Sequence, residues 1–347
     1  MQGGIEIAGL SPVVIPVFVT NLGCAHRCVF CDQGQFAPPM PPGDVAAHVD
    51  EFIAHCRPGS ARRRILGFYG GSFTGMKDGL LEGYLDVTRG LITQGHIHAA
   101  KASTRPDMVS KHTLCRLYEA GFEELEIGIQ SMDDAVLEAS SRGHTRVDVI
   151  RACALVKESG MRLGVQLMPG LPGEDIRSFK QTVAEVVKLN PDTARIYPTV
   201  VLAGTRLEEL YLSGKYLPLS LDEAVGRALY ASIMLEGEGC TILRMGLPPS
   251  PGLKITAGPY HESFGFLVRS LGYRMMARQI VDELGTGCEL AVHSRAIPEL
   301  VGYRRITLKE LRFSFSFDDS LPRGYIRACV SRESACIQLQ DILEYIL

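Results

Sequence analysis

Between Val13 and Pro198 the chain alternates short apolar segments with amphipathic ones, and it does so through six strand-like runs. The runs are Val13–Val19, Ile65–Tyr69, His98–Thr104, Glu124–Gln130, Arg162–Met168 and Ala194–Pro198, several of them β-branched and bounded by turn residues. Helical patterns fill the gaps, at 44–56 with Asp44 as cap, 78–93, 109–120, up to 159, and 174–189. Repeated strand–helix alternation builds a parallel sheet through right-handed crossovers. With no dinucleotide fingerprint present, it predicts an α/β fold, a partial (β/α)6 TIM-like barrel. The alternation becomes irregular after about Val201. Residues 1–200 are therefore expected to form the core barrel, and 201–347 a smaller C-terminal α+β extension.

The first strand runs into NLGCAHRCVFCDQGQF (21–36), which spaces Cys24, Cys28 and Cys31 as C-x3-C-x2-C. Three thiolates at this spacing can hold three corners of a cubane [4Fe–4S] cluster, leaving one iron open to a small ligand. At the end of a first barrel strand they fall on the C-terminal face, where such folds keep their active sites. A structural zinc site would ask for a second Cys or His pair, whereas the other seven cysteines are scattered. The first ten residues carry no Lys or Arg, so no targeting segment is expected there. Without a secretion signal, disulfides are disfavoured, and ten cysteines fit a reducing, cytoplasmic setting. The nine-residue apolar stretch from Pro12 to Thr20 is far short of the ~20 that a membrane span needs.

Further motifs lie at strand exits. Gly70-Gly71-Ser72 follows the second strand, and two residues without Cβ let backbone approach a ligand or close a tight turn. STRPD (103–107) ends the third strand, with Pro106 biasing Arg105 out of the helical region. Alternation puts Glu126, Gly128 and Gln130 on one face, with Gln130 at the mouth. Arg142 suits carboxylate recognition through its planar fork, or serves as a helix-end cation. Gln166, polar within an apolar strand, requires a hydrogen-bond partner. Met168–Gly173 turns into the next helix, and Arg195 and Tyr197 share a side of the sixth strand. Overall charge is −3, yet Arg295–Arg332 holds eight basic residues against four acidic ones, a tail that can meet phosphates or simply be a solvated face.

The cysteine spacing, with Phe30 before the last cysteine, resembles the radical S-adenosylmethionine (SAM) superfamily. The succession FYGGSFTG, STRPD, ELEIGIQS, RGHT, LMPGLPGED and ARIYPTVVLAGT, over roughly residues 12–250, is similar to the Elongator-type branch of it. The resemblance implies a [4Fe–4S] cluster on Cys24, Cys28 and Cys31 whose open iron chelates SAM. It implies reductive cleavage of SAM to a 5′-deoxyadenosyl radical that abstracts hydrogen from a substrate, a tRNA base in this branch. It assigns SAM to Phe30, Gly70, Gly71, Ser72, Ser103 (or Arg105), Gln130, Arg142 and Gln166, with the LMPGLPGED turn and Tyr197 near adenine. An electron donor such as flavodoxin or ferredoxin is the implied partner. The loop CAHRCVFCDQ lacks the branch's prolines, and no acyl-CoA-binding glycine loop is evident after Gly239. A short form lacking the branch's acetyltransferase domain is thus expected. A small metabolite or tetrapyrrole substrate, and a non-catalytic iron–sulfur or zinc protein, are the rival readings. His261 and Tyr260 face the active site or are satisfied locally.

Overall fold

The computed structural model of this protein describes residues 12–32, 38–56, 62–250, 252–285, 287–330 and 333–347. Expectations for Met1–Leu10, for Gln33–Phe36 of the loop and for Arg332 lie outside these residues. The chain divides into two units, one of residues 1–166 with 191–193, the other of 167–190 with 194–347.

The first unit alternates as its sequence does. Its elements are β1 (Val13–Phe18), α1 (Pro42–Ala54), β2 (Arg64–Tyr69), α2 (Asp78–Thr93), β3 (Ala99–Thr104), α3 (Lys111–Glu119), β4 (Phe122–Gln130), α4 (Asp134–Ala139), α5 (Arg146–Glu158) and β5 (Arg162–Leu167). Strands β1 to β4 pair in parallel, with registers Ile15↔Leu66, Leu66↔Ala100 and Ser103↔Glu126. The core is an aromatic cluster in which Phe68 meets Phe73 at 4.6 Å, Tyr84 at 5.5 Å and Phe122 at 5.8 Å between ring centroids. Asp44 does not cap α1: Pro41 occupies that position, Pro42 begins the helix and Asp44 lies in its first turn. A proline at N1 forfeits only an N–H that the helix leaves unpaired anyway. Helix α5 starts on a reciprocal Thr145–Asp148 capping box.

The second unit holds α6 (Ile176–Lys188), β6 (Thr193–Ile196), β7 (Val201–Leu202), α7 (Arg206–Leu212), α8 (Leu221–Gly237), β8 (Thr241–Met245), β9 (Ile255–Ala257), α9 (Phe264–Leu284), β10 (Glu289–Val292), α10 (Ile297–Val301), α11 (Ile306–Glu310), β11 (Ser314–Phe317), β12 (Tyr325–Val330) and β13 (Glu333–Gln338). Strands β11-β10-β12-β13 form a four-stranded sheet, so this stretch is α+β as expected. The parallel strands of the main sheet run in the order β1-β2-β3-β4-β5-β6-β8. This is the α/β partial barrel with one strand more than the six foreseen. Strand β8 escaped sequence reading because it buries only Ile242 and Met245 and exposes Thr241, Leu243 and Arg244. It is set in place by Gly246 N–H donating to Ile196 O at 2.9 Å, a non-local bond that no periodicity announces. Among the described residues no helix is long and apolar enough to cross a membrane.

Within this unit the LMPGLPGED turn is clamped by a buried pair. Arg227 Nη1 lies 2.5 Å from Glu174 Oε1, which also accepts from Gly170 N–H at 2.7 Å, and Tyr216 donates to Gly170 O at 2.6 Å. Burial pushes the Glu174 carboxyl up to about 7, against the Gly170 N–H and Arg227. A carboxyl whose folded pKa is raised binds more protons folded than unfolded, so its contribution to stability is full below about 4.5 and is lost as pH rises through about 7. The difference in unfolding free energy between pH 5 and pH 8 should therefore shrink in Glu174→Gln, as read by urea denaturation of both proteins. Arg227→Met, which strands the carboxylate, should cost about 3–5 kcal/mol in the same assay at pH 8.

Candidate metal centre

The cysteine loop leaves β1 and folds back on the β2 exit. Asn21 N–H donates to Gly70 O at 2.9 Å, Ser72 N–H donates to Leu22 O at 2.8 Å, and Cys31 N–H donates to Cys28 O at 3.1 Å. A Cβ on Gly71 would stand 2.4 Å from Val19 O, and one on Gly23 (φ +72°) would stand 2.1 Å from Ser72 O. The glycines that sequence reasoning reserved for a ligand are thus used first to dock the loop itself. Gly71→Ala should destabilise the first unit by at least about 1–3 kcal/mol, since rigid backbone opposes the methyl, and denaturation or amide exchange of the loop would show it.

Cys24, Cys28 and Cys31 are free, partly buried thiols in this loop. Arg142 Nη1 donates to Cys28 Sγ at 3.1 Å and Nη2 to Gly128 O at 2.7 Å, while its guanidinium carbon lies 5.9 Å from the Phe30 ring centroid. Arg142 is 6% exposed, and its guanidinium bonds Cys28 and Gly128 rather than the carbonyls that end α4. Its Nε, also buried, has no partner among the described residues. Arg105 stands beside it: Nη1 lies 4.0 Å from Cys28 Sγ, Nη2 donates to Arg142 O, and Asp107 holds its fork at 3.0 and 3.1 Å. Burial pushes the Cys31 thiol up to about 12, with Cys28 and Cys24 adding repulsion and Arg142 opposing. Burial likewise raises Cys24, with Arg105 the largest opposing influence. Among the described residues no three metal-ligating side chains are already gathered around one point, the three thiols included, but two buried guanidiniums beside the thiols would offset the negative charge of thiolate ligation, so the donor types fit an anionic iron–sulfur cluster.

Ser72, fully buried, shares hydrogen bonds with Thr104 Oγ1 (2.9 Å) and Arg105 N–H (3.3 Å), which ties the Gly-Gly turn to the STRPD exit. Gln166 Nε2 donates to Gln130 Oε1 at 3.3 Å, which supplies the partner that a polar group on that strand requires. Gln130 has φ +68°, a left-handed conformation that residues with a Cβ adopt rarely and that clusters at functional sites. Ser103 departs from this group: its hydroxyl donates to Glu126 Oε1 at 2.7 Å on the neighbouring strand, and of the two STRPD candidates Arg105 is the one beside the cysteines. Asn21, Gly23 and Thr104 were missed by sequence reading, because their roles follow from docking partners far along the chain. Beside the loop a cavity of about 460 Å³ is lined by His26, Glu138, Gly143 and His144. Burial, then Arg142 and Arg105, push His144 down to about 3, so its ring is neutral at ordinary pH. His261 is satisfied locally, accepting from Ser263 N–H at 3.0 Å. Met168–Gly173, Arg195 and Tyr197 belong to the second unit.

Comparison with known proteins agrees with this chemistry. Residues 18–186 match the Radical SAM superfamily model, and residues 191–272 match the Radical_SAM C-terminal domain. A tRNA uridine(34) acetyltransferase of Methanocaldococcus jannaschii is 35% identical over 135 residues, 38% of this chain and 25% of that protein. Elongator complex protein 3 of Homo sapiens is 38% identical over 133 residues, 36% of this chain and 24% of that one. The matched stretch thus spans about a quarter of these relatives' length. An archaeal Elp3 of Methanocaldococcus infernus with an N-terminal deletion superposes with a TM-score of 0.54 at 21% identity, over 80% of this chain and 64% of that one, a likeness of fold. With a three-cysteine loop braced by buried arginines and both domains matched in order, the chain belongs to the radical SAM superfamily.

Proposed function

We propose that Cys24, Cys28 and Cys31 ligate a [4Fe–4S] cluster, that Phe30, Gly70, Gly71, Ser72, Gln130, Arg142 and Gln166, with Arg105 in place of Ser103, hold SAM beside it, and that the substrate is a tRNA base. When bound, this pair supplies one-electron cleavage of the SAM sulfonium, giving a 5′-deoxyadenosyl radical for hydrogen abstraction. The chain's own part is placement and charge. The observation that carries the reading is the Arg142 guanidinium, fixed by Gly128 O and Cys28 Sγ with one buried donor, Nε, still unpaired. A planar donor fork of this kind suits a carboxylate such as that of the SAM methionine. Gln130 and Gln166, bonded to each other, present amides to hydroxyl or amine groups.

A flavodoxin- or ferredoxin-type reductant completes the proposal. The tRNA substrate is supported by relatives named for tRNA uridine(34) acetylation and Elongator activity. Anaerobic reconstitution followed by dithionite reduction with SAM tests the chemistry: 5′-deoxyadenosine should form, and metal uptake without it would favour a non-catalytic metal protein. Mass spectrometry of tRNA nucleosides from cells with and without the gene tests the substrate. An unchanged nucleoside profile alongside an altered metabolite pool would replace tRNA with a small molecule.

A further inference from the structure

The segment 302–312 carries a cationic turn that the cofactor chemistry does not use. Gly302, Arg304 and Arg305 have φ of 79°, 52° and 59°. Glycine adopts such angles freely, but two consecutive arginines there are held against their preference. Neighbours on either side lock the turn: Leu300 and Thr307 are fully buried, Gly302 N–H donates to Pro298 O at 2.9 Å, and Arg305 N–H donates to Gly302 O at 3.0 Å. The result throws Tyr303 and both arginines outward. Tyr303 is 41% exposed, with the Arg304 guanidinium 5.3 Å from its ring centroid and His261 edge-on at 5.4 Å.

Arg305 caps the N-terminus of α11, Lys309 lies in its last turn, and Arg312 follows; all three are exposed. None of Arg304, Arg305, Lys309 and Arg312 is ion-paired with a described residue, whereas Glu310 is already held by Arg274 and Arg278 at 3.3 and 3.0 Å. Four unneutralised cations and an exposed aromatic thus occupy ten residues of a chain whose net charge is −3. Packing fixes the backbone of this turn but gives no reason for arginine, rather than glycine, at its two left-handed positions. A polyanion with stackable rings does.

We propose that Tyr303–Arg312 is an RNA-docking turn, in which Arg304, Arg305, Lys309 and Arg312 contact phosphates and Tyr303 stacks an unpaired base. Arginine forks suit phosphate oxygens, and aromatic stacking is the usual way proteins hold single-stranded or loop nucleotides. The choice of RNA over an acidic protein rests on the tRNA reading above, while the cationic turn itself is independent of it.

The test measures binding of the full chain to an anticodon stem-loop RNA across a salt series, with polyglutamate as the competing polyanion. Arg304→Glu with Arg305→Glu should weaken RNA binding at least tenfold and flatten the salt dependence by about one to two units of slope. Tyr303→Ala should weaken it about tenfold with the slope unchanged. Arg304→Gly with Arg305→Gly removes both charges while easing the left-handed backbone, so its loss of affinity cannot be a folding defect. Lys215→Glu with Arg206→Glu makes the same charge change elsewhere and should leave binding near the starting value. Wild-type RNA binding that survives both arginine pairs overturns the docking turn and leaves the tRNA reading standing. Absence of any wild-type RNA binding overturns both, and equal losses toward polyglutamate and RNA would reduce the turn to a nonspecific charge patch and overturn it too.

Discussion

Cys28→Ala protein, reconstituted without oxygen, should lose the broad visible absorption of an iron–sulfur cluster and form no detectable 5′-deoxyadenosine. Cys28 is the thiol on which both buried guanidiniums converge, Arg142 at 3.1 Å and Arg105 at 4.0 Å. Removing it would delete a ligand of the proposed cluster and leave those charges facing a methyl group. The thiol is only partly buried and fills no core space, so the thermal midpoint of the metal-free protein should move little. Cys153→Ala gives the contrast. That thiol sits in the core at 1% exposure, where burial pushes it up to about 12. Its loss should cost about 1–2 kcal/mol of stability and leave the absorption intact. A Cys28→Ala protein that keeps its spectrum, or a Cys153→Ala protein that loses it, would remove the cysteine loop from the centre of the chemistry.

Arg142 carries the second large effect. Substituting lysine keeps the charge but cannot reach Cys28 Sγ and Gly128 O together with one planar group. Arg142→Lys should weaken SAM binding about 10–100-fold, in line with the roughly 1.5–3 kcal/mol that a hydrogen bond to a charged group contributes, as measured by calorimetry on the reconstituted protein. Arg142→Met should do the same and also remove the hydrogen bond to Gly128 O, lowering the unfolding free energy read by urea denaturation by about 1–3 kcal/mol. A purely structural arginine would give the stability loss in both variants with no change in SAM affinity. The lysine variant therefore separates the two roles.

Much of the fold was legible because its elements rest on short-range patterns. Helix α2 spans Asp78–Thr93 as the apolar spacing predicts, and each of the six foreseen strands lies within a few residues of its expected bounds. Misreadings occurred where a local rule had a local competitor. Asp44 is a good capping residue, but Pro41-Pro42 had already committed the backbone to start a helix three residues earlier. Strand β8 lacks a buried apolar run, so only its pairing reveals it.

The cysteine spacing, the Gly-Gly turn and the polar strand ends were likewise visible in one dimension, and they were enough to indicate the class of chemistry. Their connections were not. That Arg142 reaches Cys28 across 114 positions, that the Gly70 carbonyl serves Asn21, and that Ser103 turns to Glu126 are consequences of parallel register. Periodicity encodes which face a residue takes, because that depends on neighbours two to four positions away. Which distant side chain waits on that face depends on how strands align and loops dock. That was settled only when the chain closed on itself, and the left-handed backbone at Gln130 is one strain that the closure imposed.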